Sequence, residues 1–133
     1  MVETALMLPI MVFLILAGGD LARGFAIQIA VQNGARAGAE SAAIDYTPTT
    51  VDTEAHARDE MGRTPGMNGT LPAVSVTFAQ SDGTACVVPP TLANPCFATV
   101  RVQYPWRTIT AWPLIPNTFN FDRSTTMRMV ASP

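Results

Sequence analysis

From Thr4 to Gly19 the chain reads TALMLPIMVFLILAGG, sixteen positions without a charged side chain. As a helix rising 1.5 Å per residue this run covers about 24 Å, a little short of the hydrocarbon core of a bilayer. The apolar pattern continues past Asp20 and Arg23 through Phe25, Ile27, Ile29 and Val31. It predicts a single helix over residues 2–44, about 65 Å long at the same rise. A folded unit built from the rest of the chain is only about 30 Å across, so the helix must protrude from it. Asp20 and Arg23 stand at i and i+3 and can pair on one face. Such pairing lowers the cost of holding both near a membrane boundary.

Beyond the helix the pattern changes. Tyr46-Thr-Pro-Thr-Thr50 is a break. A short second helix fits Val51 to Met61, capped by Thr49 or Thr50, with Asp52 and Glu54 in its first turn and Gly62 closing it. Pro65-Gly66 is a turn signal. Three runs then alternate with period two. Val74, Val76 and Phe78 share one face of the first. Ala98, Val100, Val102 and Tyr104 share one face of the second. Phe119, Phe121, Met127 and Met129 share one parity in the third. Pro105, Pro113 and Pro116 predict an irregular loop over residues 105–118. The expected fold class is α+β, with a long protruding N-terminal transmembrane helix packed on a small antiparallel β-sheet head. Residues 1–44 form the membrane-inserting and assembly helix. Residues 45–133 form an extracytoplasmic α+β head continuous with the helix's C-terminal half.

Small residues recur along the helix at spacing four: Gly18, Ala22, Ala26, Ala30, Gly34, Gly38 and Ala42. Four residues advance about 400°, so the row winds slowly and forms a shallow groove where other helices can approach closely. An Ala- and Gly-rich genome is the competing explanation. Against it, each helical Gly costs about 1 kcal/mol relative to Ala, which close packing would offset. Two further positions stand out. Glu3 places a carboxylate just before the apolar run with no basic residue near it, which points either to an interfacial glutamate or to a partner from another subunit, such as a free N-terminal amine. Pro9 cannot donate to the Ala5 carbonyl and is expected to kink or locally open the helix.

Composition removes several function classes. The 133 residues suit one folded unit, and with 48% apolar and 14% charged residues the chain is not disordered. A net charge of -2 without a basic stripe gives no footprint for nucleic acid. Cys86 and Cys96 lack a neighbouring histidine, so zinc and haem patterns are absent, leaving a disulfide or two free thiols. A head outside the cytoplasm favours the disulfide. Its short loop would contribute about 3 kcal/mol. His56, the single histidine, lies on a polar helix beside Arg58, Asp59 and Glu60 and reads as a solvated face. Neither a nucleophile elbow nor a phosphate loop occurs, and Asp52, Asp59, Asp82 and Asp122 match no calcium loop. Trp106 and Trp112, with Phe119 nearby, read as core or interface anchors. The chain is therefore expected to be no enzyme and to need no cofactor.

These residues together suggest a family. The opening MVETALMLPIMVFLILAGGDLARGF resembles the N-terminus of TadE-like pseudopilins of the bacterial tight-adherence pilus system, with Val-Glu-Phe-Ala-Leu, Leu-Pro, an apolar run and Asp-Phe-Gly-Arg. The matching residues are Val2, Glu3, Ala5, Leu6, Leu8, Pro9, Asp20 and Arg23. The stretch from Gln32 to Ala39 is similar to the family's Ala-Arg-Glu-Gly-Ala-Arg, and ATVRVQYPW and STTMRMV are similar to its closing strands. Thr4 replaces the usual aromatic, and Leu21-Ala22 sits inside the Asp-Arg motif. The resemblance implies a pilin-like filament subunit that assembles with copies of itself or other pilins through the N-terminal helix. It implies residence in the bacterial inner membrane before assembly and in an extracellular pilus afterwards. It also implies a precursor whose basic leader is cut by a prepilin peptidase, which fits the absence of Lys or Arg before the apolar run. The rival from another class is a single-pass anchored domain whose head binds a ligand while the helix only tethers it.

Overall fold

The computed structural model describes residues 2–45, 47–68, 70, 72–87, 89–112 and 116–130. Helix α1 runs from Val2 to Ile44 and passes through Pro9 without interruption. Helix α2, Thr50–Gly62, starts where Thr49 takes an extended conformation and accepts the Asp52 N–H at 3.0 Å. Thr53, Ala57 and Met61, spaced by four, form its buried stripe.

Strands β1 (Ala73–Gln80), β2 (Cys96–Arg107) and β3 (Thr118–Arg128) form an antiparallel sheet in the order β1-β2-β3. The register stacks Phe78, Ala98 and Met127 in one row and Val76, Val100 and Thr125 in another. Alternation puts Ala98, Val100, Val102, Tyr104 and Trp106 on the inner face, all buried. That face packs against Ile27, Val31, Ala35 and Ala39 of α1, and α2 closes the core with Ala57 and Met61. A second cluster joins Ala42, Cys96, Ala98 and Met129. Beside it Cys86 and Cys96 are disulfide-bonded, with Cα atoms 5.8 Å apart. The fold is thus α+β, with a long N-terminal helix against a small antiparallel sheet.

One expectation needs correction. Residues 105–107 are strand, not loop. Cys96 and Thr108 bond Met129 and Asn117 on the β3 side, so the even residues of β2 turn their backbone groups that way. Pro105 turns toward β1, whose pairing has already ended at Gln103. Its missing N–H therefore costs no ladder bond, and Pro105 still pairs across from Asn120. Pro113 lies outside the described residues, while residues 108–112 and 116–117 do form the expected loop.

The outer sheet face is polar. Asp122 accepts a two-nitrogen clamp from Arg101 and a 3.0 Å bond from Gln103 Nε2. Chiefly the Arg101 bond, then the Gln103 bond, holds the Asp122 carboxyl down at about 2. A carboxylate depressed in the folded state stabilises it above the unfolded pKa, and that stabilisation is lost as pH falls through the folded value. The thermal midpoint of the chain in detergent should therefore fall between about pH 4 and about pH 2. The fall should be smaller for Asp122→Asn; equal falls in the two proteins would remove this clamp from the acid response.

Candidate functional site

The site is the stretch where α1 leaves the head. From Glu3 to Gly19 every helix residue except Ala17 is exposed, and Leu6, Leu14 and Ile15 are each more than 60% exposed. Water would penalise so much bare apolar surface. Among the described residues α1 alone is long and apolar enough to cross a membrane. Burial begins abruptly at Asp20 and then recurs at Gly24, Ile27, Val31, Ala35 and Ala39, the helical period of one face laid on the sheet.

Asp20 is the first residue of that face, and only 5% of it is exposed. Its carboxylate accepts the backbone N–H of Ile109 at 3.0 Å and of Thr110 at 3.1 Å, and the Trp112 indole N–H at 3.2 Å. Arg23 Nη1 stands 3.5 Å away. The i,i+3 ion pair foreseen from sequence is therefore present but secondary. Charge-assisted bonds from the β2–β3 loop hold the carboxylate, and the carboxylate in turn pins that loop to the helix. Asn117 braces the loop from its far end. Its Oδ1 accepts the Trp112 N–H at 2.9 Å, and its backbone O accepts the Thr108 N–H at 3.0 Å.

Beside this clasp lies an open groove of about 570 Å³. Its helix wall is Phe13, Ala17, Leu21 and Phe25, and its head wall is aromatic, from Trp106, Trp112, Phe119 and Phe121. Phe13 and Trp112 meet edge to face, centroids 4.9 Å apart. Trp106 stacks obliquely with Phe119 and Phe121 at 5.7 and 6.0 Å. Gly24 makes this possible, since a Cβ there would stand 3.3 Å from the Trp106 ring. Among the described residues no cluster of three or more His, Cys, Asp or Glu is arranged to hold a metal ion.

The family model described as TadE-like protein covers this exposed apolar stretch, the Asp20 turn and the start of the packed half, residues 1–40. The N-terminal forty residues are similar to that family. No curated protein matches the chain, and no solved structure does either.

Along α1 the small-residue row divides. Gly18, Ala22 and Ala26 are exposed, and nothing stands within 4 Å of a Cβ built on Gly18. Ala30, Gly34, Gly38 and Ala42 are buried against the chain's own head. A Cβ on Gly34 would overlap Met61 and lie 3.0 Å from the Ala57 carbonyl; one on Gly38 would lie 3.1 Å from Ala57 Cβ and 3.2 Å from the Thr53 carbonyl. For Gly34 and Gly38 the helix that approaches closely is α2 of the same chain. A spacing of four drifts about 40° per step, and the drift carries the row from the open face onto the head. Glu3 is exposed, and no ion pair among the described residues includes it.

Proposed function

We propose that the chain is a pilin-like structural subunit of a bacterial Tad-type filament, without catalytic activity of its own. The observation that carries this is the TadE-like match over an N-terminal helix whose first half is apolar and uncovered. Such a surface suits two successive environments, the inner membrane before assembly and the packed helices of a filament after it. The partners are copies of the chain or other pilins. A prepilin peptidase would act on a precursor. Gly18, Ala22 and Ala26 remain available for close approach by neighbouring helices. Glu3 would pair with the free N-terminal amine of an adjacent subunit and favour the correct axial register.

Glu3→Ala and Gly18→Leu test this, since both positions are exposed and a Cβ on Gly18 meets nothing within 4 Å. Each is expected to cut recovery in purified surface filaments by about tenfold, the equivalent of 1.4 kcal/mol per subunit. Membrane levels and the thermal midpoint should stay at wild-type values. Filaments that take up both variants normally would favour the simple tether.

A further inference from the structure

We propose that the aromatic groove beside Asp20 is a lipid-contacting surface that seats the head on the bilayer, its occupant being phospholipid acyl chains of the leaflet on the head's side. This rests on the membrane-anchored reading of α1 and goes beyond it, because a tethered head need not touch the membrane.

The uncharged run spans about 24 Å against a hydrocarbon core of about 30 Å. The shortfall of about 6 Å corresponds to the four residues Asp20 to Arg23. Across that turn the apolar surface does not stop. Leu21 and Phe25 continue it at 61% and 57% exposure, and Ile109 on the pinned loop adds a side chain 75% exposed. The groove thus opens on the same side as the bare helix and is continuous with it.

The treatment of Asp20 is a separate observation. A bare carboxylate at the membrane boundary is expensive. Here the loop wraps it until 5% remains exposed, and the wrapping brings Trp112 down to the helix. Trp112, half-buried, lines the groove above the buried Trp106 ring. Amphipathic indole rings concentrate at headgroup level. The Trp112 N–H is already satisfied by Asp20, so its ring makes no demand on water. Arg23, 43% exposed, is placed to reach headgroup phosphates from the same turn.

The tryptophans also supply the test. The full chain is reconstituted in phosphatidylcholine vesicles carrying bromine either near the carbonyl end or near the methyl end of the acyl chains. Flotation reports membrane insertion, and tryptophan emission reports the groove. The expected result is flotation with about twofold quenching by the shallow bromines, weaker quenching by the deep ones, and little quenching by aqueous acrylamide. Leu21→Gln/Phe25→Gln, at exposed positions, should still float and should lose most of the bromine effect. Flotation with acrylamide access and no bromine quenching would overturn the proposal while leaving the anchored reading intact. Protection from both quenchers that rises with the protein-to-lipid ratio would assign the groove to a second copy and overturn it too. Failure to float would overturn both readings.

Discussion

Gly34→Leu is expected to unfold the head in detergent or lower its stability by about 3 kcal/mol or more, at the upper end of what overpacking costs. The added Cβ alone would overlap the Met61 side chain, which is fully buried, and would press on the Ala57 carbonyl, which is backbone. Met61 could shift only into a closed core, and moving the carbonyl means moving α2. Three further carbons would worsen both contacts. Gly18→Leu makes the control, for it introduces the same side chain into open space on the same helix. That substitution should leave the thermal midpoint within about 0.5 kcal/mol of wild type or raise it slightly through helix propensity. Thermal unfolding followed by circular dichroism would measure both. A Gly34→Leu protein with a wild-type midpoint would mean that α1 and α2 do not pack as described.

Asp20→Ala should be the second costly change, because it strips three N–H donors of their acceptor at once. It leaves two backbone N–H groups and the Trp112 indole without their acceptor and removes the ion partner of Arg23. Asp20→Asn keeps the shape and one oxygen but turns an amide donor toward other donors, so an intermediate loss is expected. Amide exchange at Ile109 and Thr110 gives the direct reading. Both should be protected in the wild type and should exchange like open loop amides in the alanine variant. Protection that survives the substitution would show that Asn117 alone holds the loop.

Much of the architecture was legible because it rests on periodicity. The period-two runs at Val74–Phe78 and Ala98–Tyr104 mark a sheet with one wet face, and the register pairs their apolar positions as alternation requires. Thr49 before an acidic turn marks the α2 start through ordinary capping chemistry. The Asp20 clasp was not legible in the same way. Its main donors are backbone N–H groups, which every residue but proline carries, and they lie 89 and 90 positions away. The small-residue row misled for a different reason. Close approach between helices has the same signature whether the second helix belongs to another chain or is α2. Gly24, which admits the Trp106 ring, lies off that row. A glycine one turn beyond an acid is not a signal until the indole facing it is known.

The distance in sequence between Asp20 and its donors also sets a timetable for synthesis. Helix α1 precedes the loop in the chain, so the Asp20 carboxylate has to wait for Ile109 to Trp112 to emerge. At ribosomal rates of about 5–20 residues per second, that interval is roughly 5 to 20 seconds. Throughout it a nascent chain anchored as proposed carries the Asp20 carboxyl without its loop donors, with Arg23 three residues on as its neighbour. Its helix would then be free to ride shallower or tilt further than in the folded chain. If α1 is seated in a membrane as proposed, closure of the β2–β3 loop ends that freedom, so a segment translated later constrains the depth of one translated earlier.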